Sequence, residues 1–193
     1  KKLQNICDYL EIAINGKIGL VVINTRSFPA RTNFDKVRAR LALEVLNVLK
    51  AGLEDYEGDI LVTAPYTDMV NYIATQVGLE KLHGVKVYTV DSVLGGEAPI
   101  HIAVLGKEWI TQERATYYLD YPKLLNVQGR RVNIMKIVVG DIVELSRLPN
   151  KVALTRHPQY VKLSASALGK TAKRLISLAE EHETYLLMKY GQD

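Results

Sequence analysis

Cysteine is almost missing: Cys7 stands alone in 193 residues. No intrachain disulfide can form and no cysteine-built zinc site is available, so a reducing, intracellular (cytoplasmic) setting is the expectation. Histidine is equally sparse. His83, His101, His157 and His182 show no i, i+4 pair, which leaves no metal-ligand spacing and no metal site to expect. Long apolar runs are missing too. Residues 18–23 and 134–139 fall far short of the roughly 20 that a membrane helix needs, so a soluble chain with no membrane partner is expected. There is no Gly-x-Ser-x-Gly elbow to strain a nucleophilic serine, no internal repeat and no low-complexity stretch. The sequence opens on Lys1-Lys2 with no signal pattern behind it, and further sequence is expected upstream.

What is present is ordinary for a globular domain. At 48% hydrophobic and 24% charged, the chain lies well clear of the disordered regime, and its length suits one domain with a sizeable core. A net charge of +4 is compatible with a polyanion partner without requiring one. Eleven Tyr against two Phe offer either packing or stacking surfaces for bases; Tyr117, Tyr118 and Tyr121 cluster in one segment, where packing is the simpler role.

Apolar periodicity predicts strands alternating with helices. Residues 3–14 read as a helix, 18–23 as a buried strand, 35–50 as a helix capped from Thr32 and Asn33, 59–63 as a strand and 68–77 as a helix. Residues 85–90 and 100–105 read as two further strands. Residues 107–147 fit less cleanly and are taken as an insertion, with a hairpin over 131–145 turning at Gly140. The core is expected to resume with a short helix at 151–156, a strand at 160–164 and an amphipathic helix at 168–181. This alternation predicts an α/β domain with a mainly parallel sheet covered on both faces, one unit over 1–193 apart from that insertion.

Three stretches carry candidate chemistry. Thr89-Val90-Asp91-Ser92-Val93-Leu94-Gly95-Gly96-Glu97 brings polar groups and two glycines to the carboxyl end of a strand, the edge where open parallel sheets bind ligands. A solvated turn between two strands would have the same composition. Val152-Ala153-Leu154-Thr155-Arg156-His157-Pro158 ends a short apolar helix on an arginine, which suits a rigid cation for phosphate or a plain surface residue. Ser164-Ala165-Ser166-Ala167-Leu168-Gly169-Lys170-Thr171 is a near miss for a phosphate-binding loop: serine replaces its first glycine, and a simple helix start with Lys170 exposed accounts for it equally well.

The order of these pieces resembles the second RecA-like domain of superfamily 1 helicases of the Upf type. That family runs from a Ser-x-x-Asn-x-x-Glu-Ala-like helix start to Thr-Pro-Tyr, then Thr-Val-Asp-Ser-Phe-Gln-Gly-x-Glu, then Val-Ala-Leu-Thr-Arg. This chain presents Thr32, Asp35, Arg38 and Ala39, then Ala64-Pro65-Tyr66, then Thr89 to Glu97, then Val152 to Arg156, in the same order. The resemblance implies a RecA-like three-layer αβα fold. It implies that Gly95, Gly96 and Glu97 lie near a nucleotide at an interdomain cleft and that Arg156 reaches the terminal phosphate as the catalytic residue. It implies that Tyr66, Thr89 and Asp91 contact or position single-stranded nucleic acid, DNA or RNA.

A complete motor of this kind needs a first RecA-like domain, in cis or in trans, with the phosphate loop and the magnesium-binding acid. ATP and Mg are therefore expected only with that partner, and no activity is expected from this chain alone. Departures from the family pattern are Leu94 for Gln, Arg38 for Glu and Thr67 for Arg, which point to a diverged copy. The alternative is a stand-alone module that binds nucleic acid or protein and has lost ATP hydrolysis.

Overall fold

The strand LVVINT, β1 (Leu20–Thr25), is buried at all six positions. A strand that hides both of its faces belongs in the middle of a layered sheet. The computed structural model describes residues 8, 10, 19–25, 34–52, 58–93, 98–106, 132–153 and 159–188. After β1 come α1 (Lys36–Gly52), β2 (Ile60–Ala64), α2 (Thr67–Leu79), β3 (Val85–Thr89), β4 (Ala98–Val104), β5 (Val132–Gly140), α3 (Ile142–Ala153), α4 (Gln159–Glu181) and β6 (Tyr185–Met188). The strands form one six-stranded sheet in the order β3-β2-β4-β5-β1-β6, and every neighbouring pair is parallel.

Handedness decides which helix covers which face. A crossover between parallel strands is right-handed, so crossovers that travel in opposite directions along the sheet must lie on opposite faces. The steps from β1 to β2 to β3 travel one way; the step from β5 over β1 to β6 travels the other. Leu41, Val45 and Leu46 of α1 and Met69 and Ile73 of α2 accordingly pack with Val21, Ile23, Val62, Ile102 and Ile137. Leu145 and Leu148 of α3 and Val161, Ala165 and Leu168 of α4 pack with Leu20, Val22 and Val138 on the other side. Each such leucine removed from water contributes about 1.5–3 kcal/mol before entropy is counted. The result is the three-layer α/β architecture expected from the sequence, with a fully parallel sheet.

Three local expectations are corrected. Residues 131–145 do not form a hairpin: β5 runs through the sheet between β4 and β1, and Gly140 is where it ends. Asp141 then caps α3, its Oδ1 accepting the Glu144 N–H at 2.9 Å, so Gly140-Asp141 is a strand-to-helix junction. The C-terminal part of the supposed insertion, 132–147, is thus core; 107–131 lie outside the described residues. The expected helix at 151–156 starts earlier, as α3, and is followed to Ala153. The expected strand at 160–164 is the first part of α4, whose buried Val161, Ala165, Leu168 and Ala172 recur at helical spacing. The short pattern Tyr160-Val161-Lys162-Leu163 alternates for too few residues to distinguish the two periods. The helix expected at 3–14 lies outside the described residues except for Asp8 and Leu10.

The near-miss phosphate loop at 164–171 therefore falls inside a continuous helix. Gly169 is there for packing: a Cβ on it would stand 2.5 Å from Cγ of Pro149 on α3. Gly169→Val should cost about 1–3 kcal/mol of stability in urea titrations, because the rigid Pro149 ring stands where the new side chain would go. Gly78→Ala, at a helical site with nothing within 4 Å of the new methyl, should be neutral or stabilising by up to about 1 kcal/mol.

Candidate functional site

In an open parallel sheet the carboxyl ends of the strands form the ligand-binding edge, above all where successive crossovers leave for opposite faces. Here that point lies between β1, which feeds α1, and β5, which feeds α3. Asn24 and Thr25 end β1, and Asp141 follows β5. Among the described residues, the polar groups at this point bond to one another. Asn24 Oδ1 accepts the Val143 N–H at 3.3 Å, so β1 helps to cap α3. Asp35 caps α1, its Oδ1 accepting the Arg38 N–H at 3.1 Å.

Arg38 holds this edge together. Its side chain is 2% exposed and reaches inward from the first turn of α1. Nη1 donates to the Leu105 carbonyl at 3.2 Å and to the Gly106 carbonyl. Nε donates to Thr25 Oγ1 at 3.4 Å and lies 3.3 Å from the Asp35 carboxylate. One guanidinium thus ties the ends of β1 and β4 to the start of α1, satisfying backbone oxygens that a buried edge would otherwise strand. The planar fork with its several donors explains why this position carries Arg. Sequence reading took Arg38 as a reversed charge; the structure shows a charge consumed within the fold.

Tyr66, Thr89 and Asp91 come to the same edge. Ala64 of β2 is in register with Thr89 of β3, so Tyr66 and Asp91 each follow a registered pair by two residues. Tyr66 is the N-cap residue of α2 with no side-chain cap, and its carbonyl accepts the Met69 and Val70 N–H groups at 3.1 Å. Its ring is half-buried against the core below α1 and α2. Gly106 passes beside it: a Cβ there would meet Pro65 Cγ at 2.8 Å and Tyr66 Cε2 at 3.4 Å. After β3 the chain turns tightly, with Thr89 Oγ1 donating to Ser92 Oγ at 2.7 Å and accepting the Ser92 N–H at 3.2 Å. Asp91 is exposed at this turn.

Gly95, Gly96, Glu97 and Arg156, together with Leu94, lie outside the described residues. Thr67 opens α2 and is exposed. Among the described residues the helix starts at the crevice are capped by Asp35 and Asp141, whose carboxylates disfavour a phosphate there, and no three His, Cys, Asp or Glu side chains gather as metal ligands. Among the described residues, too, no helix is long and apolar enough to cross a membrane.

Sequence reading missed Asn24 and Asp141, and also a polar line beneath the sheet surface. Thr63 Oγ1 and His101 Nε2 are 2.9 Å apart and both residues are fully buried. Lys136 is in register with His101 on the next strand and is also buried, which lowers its pKa to about 8. Polar residues inside an apolar run were the available signal. Comparison with models of known protein families finds no match, and a search of curated proteins finds no similar sequence.

Two predictions come from these buried cations. Arg38→Leu should lower stability by about 3 kcal/mol, measured by chemical denaturation, since it strands the Asp35 carboxylate and two carbonyls; Arg38→Lys should recover only part of that loss. Lys136 is neutralised more easily folded than unfolded, so the unfolded chain binds the extra proton between pH 8 and its ordinary 10.5. Stability should therefore rise as pH climbs from 8 towards 10, below the range where Tyr185, whose pKa burial raises, acts in the opposite sense. Lys136→Met should abolish the rise and add up to about 3 kcal/mol at pH 7.

Proposed function

We propose that this chain is one half of a helicase-like motor, contributing a nucleic-acid-binding edge and one side of an ATP cleft, without hydrolysing nucleotide on its own. The observation that carries the reading is the register that brings Tyr66, Thr89 and Asp91 together at the carboxyl edge of a parallel sheet. Those are the residues that the family resemblance assigns to the strand. An aromatic ring can stack on a base, and a hydroxyl beside a carboxylate can accept from base amines or a sugar hydroxyl. In this reading the cleft faces a first RecA-like domain, which supplies the phosphate loop and magnesium; Gly95, Gly96 and Glu97 line the near side and Arg156 approaches the terminal phosphate.

A second reading, a module that binds nucleic acid or protein without ATP hydrolysis, is favoured by Arg38. The residue that departs most sharply from the family pattern is committed to internal bonds at the carboxyl edge. Both readings require the edge to engage a single strand, and they separate on nucleotide dependence.

The test is a fluorescence-anisotropy titration of the purified chain with labelled single-stranded DNA and RNA over a salt series. Saturable binding whose logarithm falls linearly with the logarithm of salt is expected. Tyr66→Ala should weaken it about 5- to 100-fold, the loss of one stacked base, and Thr89→Val should weaken it less. Full-affinity binding by both variants would remove the edge as the contact. Adding a first motor domain with ATP and Mg should change the affinity in the motor reading and leave it unchanged in the second.

A further inference from the structure

The turn that carries Thr89 and Asp91 brings a carboxylate and hydroxyls to the edge and no cation, so the phosphates of a bound strand are left to other parts of the surface. Helix α4 offers a surface suited to them. From Gln159 to Leu178 it contains no acidic residue, while Lys162, Lys170, Lys173 and Arg174 are all exposed. At 3.6 residues per turn these four project within an arc of about 120° and extend over about 18 Å of helix. None of them forms an ion pair with a described residue. Within this arc lie the small Ser166 and the exposed Leu163.

We propose that this face of α4 is a second nucleic-acid contact, a strip of cations that holds a phosphodiester backbone. A basic stripe along one helix is the electrostatic footprint of such a partner. The polarity of the helix sets the direction of approach. Its C-terminal end carries Glu180 and Glu181 and leads through Glu183 into the amino end of β6, where the Thr184 carbonyl accepts the Val22 N–H at 3.0 Å. Its first half, with Val161 and Leu168, belongs to the same apolar cluster as Val90 and Leu105, residues of the carboxyl edge. The strip therefore starts at the carboxyl edge with Lys162, runs along the helix through Lys170 to Arg174 and stops short of Glu180 and Glu181.

A bilayer is a poorer occupant. The apolar side of α4 is turned into the protein, and among the described side chains of the helix only Leu163, at 63% exposure, is large, apolar and strongly exposed. The proposal takes its class of polyanion from the reading of the carboxyl edge, but it concerns a separate surface with its own variants.

The experiment compares the full chain with Lys170→Glu/Lys173→Glu and with Lys50→Glu/Lys81→Glu, which changes net charge equally near the amino edge. The probe is a labelled 20-nucleotide oligo(dT), titrated by anisotropy at several salt concentrations, with circular dichroism to show that each variant is folded. The α4 variant should bind at least tenfold more weakly and lose about two units of salt slope, one for each phosphate contact removed; the amino-edge variant should change little. Equal loss in both variants, or none in the α4 variant, would overturn the proposal. If the α4 variant binds normally while Tyr66→Ala does not, the α4 contact is wrong and the edge stands. If the α4 variant fails while Tyr66→Ala binds fully, the edge is wrong and the α4 contact stands. Displacement of the oligonucleotide by polyglutamate at equal charge would also overturn the proposal, since the strip would then take any polyanion.

Discussion

A single buried guanidinium organises the carboxyl edge of the sheet. Arg38 bonds to the ends of two strands and to the start of the helix that connects one of them onward. Without it, the carbonyls of Leu105 and Gly106, both buried, would lose this donor. The cost of burying the charge is offset by the Asp35 carboxylate and by donors well matched to the oxygens around them. Because Gly106 lies against Pro65 and Tyr66, fixing its carbonyl also fixes the start of α2. The position of Tyr66 thus depends on a residue that does not itself face solvent.

The second constraint is topological. Right-handed crossovers in opposite directions place α1 and α2 on one face and α3 and α4 on the other, with β1 and β5 at the division. In this chain the crevice at that division is filled by Asn24, Asp35, Arg38 and Asp141. Side chains suited to an external ligand stand further along the edge, at the ends of β2 and β3, and a row of four exposed cations lies on α4. The rigid part of the edge and the part available for contact are therefore distinct.

Much of this architecture was legible in the sequence. The strands at β1, β2, β3 and β4 and the helices α1 and α2 follow from buried apolar runs and helical spacing bounded by Gly52, Pro65 and Gly78. The region after Gly140 was misread because Ile142-Val143 looks β-like locally, whereas the burial of Leu145, Leu148 and Val152 shows the helical period only over a longer window. The first turns of α4 were misread for the same reason, and β6 is too short to stand out. At the site, the alignment of Tyr66 with Thr89 and Asp91 was available from motif order. The role of Arg38 was not, because its partners Leu105 and Gly106 are distant in sequence and are backbone atoms, which no side-chain pattern encodes.

Hydrogen exchange of the chain with and without single-stranded oligonucleotide tests the central claim most directly, that the carboxyl edge, framed by Arg38, is the nucleic-acid-binding surface. Added protection should concentrate at Tyr66 to Asp68, at Thr89 to Ser92 and on the basic length of α4, with the amino edge around Gly84 unchanged. Protection confined to the amino edge, or spread evenly over both edges, would contradict it.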